Sequence, residues 1–240
     1  MAKLSAGTSN INEHWLDDSA SAALLAATCV AELLRQGIAE RNVACLAVSG
    51  GRSPIAFFDQ LSRQVIPWGK VSITLVDERW VPTSSEESNE HLVRQHLLRN
   101  AAANAQFVPL KTAAASPQLA LAERESAINK MPWPLDAIVL GMGEDGHTAS
   151  LFPGAENLSA ALDVTRPALL IDIDPPHADH RRMSLTLRGL LHTRCVVLLI
   201  QNSRKRAVYQ RARDGADVAL LPIAGVLDQP KVKAEVFWVP

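Results

Sequence analysis

The stretch VACLAVSGGRSP, residues 43–54, decides the fold class. Its first half, residues 43–48, is a short apolar run of the kind found in strands that are buried on both faces. Its second half brings two glycines and then Pro54, a residue that suits the first position of a helix. A buried strand that leads directly into a helix indicates a βα unit of an α/β fold.

The same alternation continues along the chain. Apolar runs predict further buried strands over residues 71–76, 135–140, 169–173 and 195–200. Apolar side chains at helical spacing predict helices over 19–35, with Ser19 as N-cap, and over 54–65, 88–99 and 203–213. The alanine-rich segment 101–122 suggests a helical or loosely packed region. We therefore expect residues 1–240 to form one α/β domain, doubly wound, with a mainly parallel sheet and helices on both faces.

Composition excludes several classes of function. The 24 basic and 25 acidic residues give a net charge of -1, so the chain has no general positive field for nucleic acid. The apolar stretch 20–31 is too short to span a bilayer and follows acidic residues, whereas a signal peptide begins with basic ones. The 3 cysteines are too few for a disulfide framework or a zinc cluster. These observations predict a cytoplasmic monomer or small homo-oligomer that contacts neither nucleic acid nor membrane.

The loop after the first strand, SGGRSP at 49–54, has the features of an anion site. Gly50 and Gly51 let the backbone approach a ligand closely, and Ser53 is expected to cap the helix that follows. The N-terminus of a helix attracts phosphate. The loop has neither the P-loop pattern nor the nucleophile elbow of serine hydrolases. It predicts a phosphate cradle, and the alternative is a turn that uses glycine for steric reasons alone.

Three consecutive charged residues, Asp77, Glu78 and Arg79, follow the strand at 71–76. They cannot all be buried without partners, so they either line a polar cleft or face solvent in a loop. Ser88 predicts the N-cap of the next helix, and Glu90 suits the helix dipole there.

A glycine-rich loop, GMGEDGHTASLFP at 141–153, follows the strand at 135–140. It contains a G-x-G-x-x-G pattern, but Pro153 and Gly154 interrupt the long helix that a dinucleotide fingerprint must open. The loop presents Asp145 and His147 instead. An imidazole titrates near neutral pH and a carboxylate can fix its tautomer, so His147 is the candidate general base, with a purely structural histidine as the alternative.

Two cations in the second half of the chain complete the candidate site. Arg182 begins an alternating, strand-like run, and Lys205 follows the strand at 195–200. A guanidinium fork and a mobile ammonium together suit a phosphate dianion, although an Arg-rich surface would explain both residues as well. His177 and His180 lie beside Pro175-Pro176 in a loop and do not predict a metal site, so no metal or other cofactor is expected.

Taken together, these segments resemble the motif series of the glucosamine-6-phosphate isomerase/6-phosphogluconolactonase family, and specifically its lactonase branch. The matching segments occur in the family's order: 49–54, 77–82 with 88–89, 141–153, 182–187 and Lys205. The resemblance implies the glucosamine-6-phosphate deaminase-like, Rossmann-like fold. It also implies hydrolysis of 6-phosphoglucono-δ-lactone to 6-phosphogluconate in the oxidative pentose phosphate pathway, with a sugar phosphate lactone as the only partner and no cofactor.

The resemblance also implies a role for each matching residue. His147 would activate water and Asp145 would orient it. The implied substrate-binding residues are Gly50, Gly51, Arg52, Ser53, Asp77, Glu78, Arg79, Asn89, Arg182 and Lys205. The chain departs from the family pattern at Glu90, where an aromatic residue is common, and Arg52 fills a variable position.

Two alternatives stay open at this stage. A sugar-phosphate isomerase or deaminase shares the fold, but Arg79 and the TASLFP segment after His147 favour the lactonase. A non-catalytic sugar-phosphate sensor domain would need a helix-turn-helix, for which residues before 15 leave no room.

Overall fold

Seven parallel strands form the central sheet of the computed structural model, which describes residues 10–240. The strands are β1 (Ile11–Trp15), β2 (Ala44–Val48), β3 (Val71–Leu75), β5 (Gln106–Val108), β6 (Ala137–Leu140), β9 (Cys195–Gln201) and β10 (Lys233–Val239), in the spatial order β1-β10-β9-β6-β2-β3-β5. Strands β2 and β6 are buried along their whole length, as expected for strands covered on both faces. The predicted doubly wound α/β class is confirmed.

Eight helices connect and cover the strands in the described part of the chain. They are α1 (Ser19–Arg41), α2 (Ile55–Leu61), α3 (Asn89–His96), α4 (Pro117–Asn129), α5 (Leu158–Leu162), α6 (Leu187–Leu191), α7 (Ser203–Arg213) and α8 (Ile223–Leu227). The alanine-rich segment 101–122 divides into a 3-10 turn, strand β5, a loop and the first turns of α4. The elements that were not predicted include strands β1, β5 and β10 and helices α4, α5, α6 and α8.

Helix α1 runs six residues past its predicted end at 35, to Arg41. By length and composition alone it is long and apolar enough to cross a membrane. Its small apolar residues form a buried stripe that includes Ala26, Val30 and Leu34, and the helix contacts α2, β2 and β10. Packing within the protein therefore accounts for the apolar character of this stripe.

The strand order places a crevice between β2 and β6. From β2 the chain proceeds outward through β3 to β5, and it then returns to pair β6 with the other edge of β2, where Val48 lies opposite Val139. At such a switch point the loops at the carboxyl ends of the two strands diverge, and ligands bind between them. The loops at 49–54 and 141–153 are the two that flank this crevice.

A second sheet corrects one strand prediction. Residues 169–173 were expected in the parallel sheet, but β7 (Leu170–Ile173) pairs antiparallel with β8 (Arg182–Leu185), which pairs antiparallel with β4 (Asp77–Arg79). The loop 174–181 is too short for the crossover that a parallel connection requires, so the chain must turn back on itself.

Two predicted N-caps are also corrected. Asp18, not Ser19, caps α1, because its carboxylate accepts hydrogen bonds from the N–H groups of Ala20 and Ser21. Ser53 caps nothing: α2 begins after Pro54 without a side-chain cap, and the Ser53 hydroxyl instead donates to Gln201 Oε1 at 3.2 Å. The Ser88 cap of α3 is confirmed by its bond from the His91 N–H at 3.2 Å.

Candidate active site

A cleft of about 300 Å³ opens at the carboxyl ends of β2 and β6. All predicted site residues line it except Glu78 and Asp145: Gly50, Gly51, Arg52, Ser53, Asp77, Arg79, Asn89, His147, Arg182 and Lys205. Residues separated by up to 155 positions in the chain thus meet at one point, which is where the topology predicts a ligand site.

His147 and Asp145 form a hydrogen-bonded pair at the edge of the cleft. The distance from His147 Nδ1 to Asp145 Oδ1 is 2.6 Å, and the His147 N–H also donates to Oδ1 at 3.2 Å. Partial burial alone would raise the pKa of Asp145, but the hydrogen bond and charge of His147 outweigh burial and leave this pKa below its ordinary 3.8. A charged carboxylate can only accept, so Nδ1 carries the proton and Nε2 is left as the basic nitrogen.

Gly143 makes room for this pair. A Cβ atom at position 143 would lie 2.3 Å from both Asp145 Oδ1 and His147 Nδ1, so no larger residue fits without displacing them. The Gly143 N–H donates to the His147 carbonyl at 2.9 Å, which folds the loop back on itself.

Phe152 links the base to the cationic side of the cleft. Its ring centroid is 4.4 Å from that of His147, and the Arg182 guanidinium carbon lies 5.4 Å from the Phe152 centroid. Phe152 belongs to the 141–153 motif but has no predicted role, because a lone phenylalanine after a loop is ordinarily a core residue.

Arg79 and Arg182 lie side by side on neighbouring strands of the second sheet. They are directly opposed in the β4–β8 register, where like charges destabilise a strand pair. Burial lowers the pKa of Arg182; the charge of Asp77 opposes this shift and that of Arg79 adds to it. Neither arginine forms an ion pair with a carboxylate within residues 10–240. An anion bound between the two guanidinium groups would relieve this repulsion.

Unpartnered polar atoms point to the same place. Arg79 Nε, Arg182 Nε and Asn89 Oδ1 are buried and have no hydrogen-bond partner among residues 10–240. Buried polar groups are almost always paired, so such exceptions require an explanation. These three atoms belong to residues that line one cleft, where a ligand with both acceptor and donor groups would pair with them.

The side chains of Asp77 and Glu78 lie on opposite sides of β4, because neighbouring residues of a strand point in opposite directions. Asp77 lines the cleft, where its Oδ2 accepts from Ser150 Oγ at 2.6 Å and its Oδ1 from Asn89 Nδ2 at 3.2 Å. The predicted position of Glu78 in the cleft is corrected. Glu78 is fully buried beneath it and accepts hydrogen bonds from the N–H groups of Arg79, Asn89 and Glu90 and from Ser88 Oγ.

Burial raises the pKa of Glu78 above its ordinary value, although the hydrogen bonds from Glu90 and Asn89 oppose this shift. Glu78 therefore ties β4 to the start of α3 and fixes Asn89 in the cleft wall. The period-two alternation of a strand is the signal that could have separated Glu78 from Asp77 and Arg79.

The glycine loop and Lys205 form the opposite wall. A Cβ at Gly50 would lie 1.8 Å from Asn89 Oδ1, so this glycine is required by the close approach of the two walls. Gly51 has a φ of +90°, a conformation that other residues rarely adopt. Lys205 is half-buried, Arg52 is exposed, and neither is ion-paired in the part of the chain that the structure describes.

Comparisons with known proteins agree with these features. The family model for glucosamine-6-phosphate isomerases/6-phosphogluconolactonase matches residues 17–238. A 6-phosphogluconolactonase of Mesorhizobium japonicum is 42% identical over 240 residues, 100% of both chains. The crystal structure of a 6-phosphogluconolactonase from Shewanella baltica has a TM-score of 0.93 at 37% identity and covers 98% of this chain and 99% of its own.

A monomeric glucosamine-6-phosphate deaminase is similar in fold alone, with a TM-score of 0.77 at 13% identity over 95% of this chain and 97% of that one. The family match spans nearly the whole described chain, and the relatives are similar over their full length. The chain belongs to the glucosamine-6-phosphate isomerase/6-phosphogluconolactonase family.

Proposed function

We propose that the protein hydrolyses 6-phosphoglucono-δ-lactone to 6-phosphogluconate, a reaction of the oxidative pentose phosphate pathway. The observation that carries the proposal is the placement of the Asp145–His147 pair, with its 2.6 Å hydrogen bond, at a cleft also lined by four cations that form no ion pair within residues 10–240. The names of the full-length relatives, among them the Mesorhizobium japonicum enzyme, support the same reaction.

His147 is the proposed catalytic base. Its Nε2 accepts a proton from a water molecule as the water oxygen bonds to the lactone carbonyl carbon. The tetrahedral intermediate then collapses, the bond between this carbon and the ring oxygen breaks, and the ring oxygen takes up the proton as a hydroxyl. The carboxylic acid so formed ionises at neutral pH. Asp145 holds the imidazole in the required tautomer and stabilises its protonated form.

The cations supply binding and charge stabilisation. A lactone is an activated ester, so a positioned water, a base and donors to the developing oxyanion suffice for its hydrolysis. Phosphate at the far end of the sugar is a remote handle, whose binding energy places the carbonyl against His147. We assign this handle to Arg79, Arg182 and Lys205 with the Gly50-Gly51 loop.

The decisive assay generates the lactone in situ with glucose-6-phosphate dehydrogenase and measures acid release above the spontaneous rate. We expect a large acceleration, and none in a parallel test for ammonia release from glucosamine 6-phosphate. Acid release at the spontaneous rate would refute the proposal, and ammonia release would favour the deaminase activity instead.

Lys205→Ala is expected to raise KM by about tenfold or more, because hydrogen bonds to charged groups contribute about 1.5–3 kcal/mol. The effect on kcat should be smaller, since the side chain binds a group remote from the reacting carbonyl. Arg211→Ala, an exposed cation on the same helix, is the matched control. An unchanged KM in Lys205→Ala would remove this lysine from the substrate site.

Gly143→Ala is expected to lower kcat by about 10²-fold, the cost of displacing reacting groups by roughly an ångström. The physical reason is the 2.3 Å approach of the added methyl group to both members of the Asp145–His147 pair. Gly69→Ala is the control, because no atom beyond its immediate chain neighbours lies within 4 Å of its added methyl group. A wild-type kcat in Gly143→Ala would contradict the proposed role of the pair.

We further propose that the protein acts in the cytoplasm as one domain, with a small sugar phosphate as its only required partner. Sugar phosphates are intracellular metabolites, and Cys29, Cys45 and Cys195 are free thiols, as is usual in a reducing compartment. A monomer or small homo-oligomer remains the predicted assembly.

A further inference from the structure

The segment that joins β9 to α7 contains a strained residue. Asn202 has φ 72° and ψ 158°, in a region of backbone conformation that is essentially restricted to glycine. Residues persist in such conformations only where the surrounding contacts hold them, and they are concentrated at functional sites. Lys205, three residues further along the chain, lines the cleft.

Contacts on both sides hold Asn202 in place. Its N–H donates to the Val239 carbonyl at 3.1 Å, which anchors it to the end of β10. Its side-chain Oδ1 accepts from the N–H of Lys205 at 3.0 Å. The cap of α7 is therefore made on the backbone of Lys205, a residue that lines the cleft.

The neighbours of Asn202 secure the segment further. Gln201 Oε1 accepts from Ser53 Oγ in the glycine loop at 3.2 Å. The Arg206 guanidinium carbon lies 4.3 Å from the ring centroid of Trp15 and 4.9 Å from that of Trp238, which are cation–π distances. Gln201 thus connects the segment before Lys205 to the glycine loop, and Arg206 connects the residue after Lys205 to two aromatic rings.

We propose that Asn202 is a positioning residue for substrate binding: its strained backbone and its bond to the Lys205 N–H set the direction in which the Lys205 ammonium enters the cleft. The inference rests on the proposed function, since it requires Lys205 to bind the phosphate group. A lysine reaches its ligand through a flexible four-carbon stem. Its orientation therefore depends on how firmly the backbone beneath it is held.

The test compares Asn202→Gly with Asn202→Ser. Glycine relieves the strain at a small capping cost, so we expect Tm to rise by about 2–4 °C. The missing side-chain bond should at the same time raise KM for the lactone by about fivefold, the contribution of one hydrogen bond, with little change in kcat. Serine restores a capping oxygen that can reach the same N–H, so KM in Asn202→Ser should return towards the wild-type value.

Two controls separate positioning from general stabilisation. Asn42→Gly changes another asparagine of positive φ, 63°, at the end of α1 and outside the cleft lining, so it should leave KM unchanged. In a Lys205→Ala background, Asn202→Gly should have no further effect on KM, because a residue that acts through Lys205 is silent without it.

Three outcomes would overturn the proposal. An unchanged KM in Asn202→Gly, while Lys205→Ala raises KM, would leave the proposed function standing and make Asn202 a structural cap only. A KM increase that persists in the Lys205→Ala background would show that Asn202 acts by another route. An unchanged KM in Lys205→Ala would refute the phosphate-binding role of Lys205 and this inference with it.

Discussion

His147→Ala is expected to lower kcat for lactone hydrolysis by about 10²- to 10⁴-fold, the usual contribution of a positioned general base. Affinity for the product 6-phosphogluconate should be retained, because the cations that we propose to bind its phosphate lie on other elements. Residual activity above the spontaneous rate would come from substrate binding, which holds the lactone in a reactive position in the cleft. The measurement is kcat from acid release, with product affinity from calorimetry.

A second histidine–carboxylate pair provides the matched control for His147. His96 Nδ1 lies 3.2 Å from Asp59 Oδ1, and neither residue lines the cleft, so His96→Ala should leave kcat unchanged. Because the pKa of Asp145 lies below its ordinary 3.8, its carboxylate stays charged in the neutral range and continues to accept the hydrogen bond of His147 Nδ1. A near-normal kcat in His147→Ala would remove His147 from the mechanism.

Arg182→Met is expected to raise KM by about 10- to 100-fold without lowering stability. The fold increase follows from the loss of charge-assisted hydrogen bonds to the phosphate, each worth about 1.5–3 kcal/mol. Stability should hold or rise because Arg182 is buried, faces Arg79 directly and has an unpartnered Nε. Replacing an unpaired buried charge by an apolar side chain of similar length is often stabilising.

Steady-state kinetics and thermal unfolding without ligand test both parts of this prediction. Arg181→Met is the control, since Arg181 is exposed and pairs with Asp172 at 2.7 Å outside the cleft. A large fall in Tm of Arg182→Met with an unchanged KM would mean that Arg182 serves the fold and not the substrate.

The glycine loops could be predicted because their signals are local. Apolar runs followed by Gly50 or Gly141 predict a strand and the loop after it without any knowledge of the partner strands. The Ser88 cap belongs to the same class, since it depends on residues within one helical turn. The Ser53 cap was wrong because α2 begins one residue later, after Pro54, and the Ser53 hydroxyl is directed to Gln201, 148 positions away in the chain.

The second sheet could not be predicted from local sequence patterns. Residues 170–173 have an apolar pattern that suits either a parallel or an antiparallel strand, and only the pairing partner distinguishes the two. The position of Glu78 could not be predicted for a similar reason, because three consecutive charged residues do not show which side chains face the ligand. The pleat of β4 turns Asp77 and Arg79 into the cleft and Glu78 beneath it.

The sequence alone determined the α/β class, the family resemblance and most of the candidate site residues, because each depends on residue types at short, fixed spacing. Tertiary structure alone decided the strand order that brings the loops of β2 and β6 together, the register that sets Arg79 against Arg182, and the strained turn at Asn202 beneath Lys205. These features depend on contacts between segments remote in the chain, whose partners are selected only when the whole core packs. Residue types at short spacing identify the candidate side chains, whereas contacts between remote segments determine the distances between those side chains.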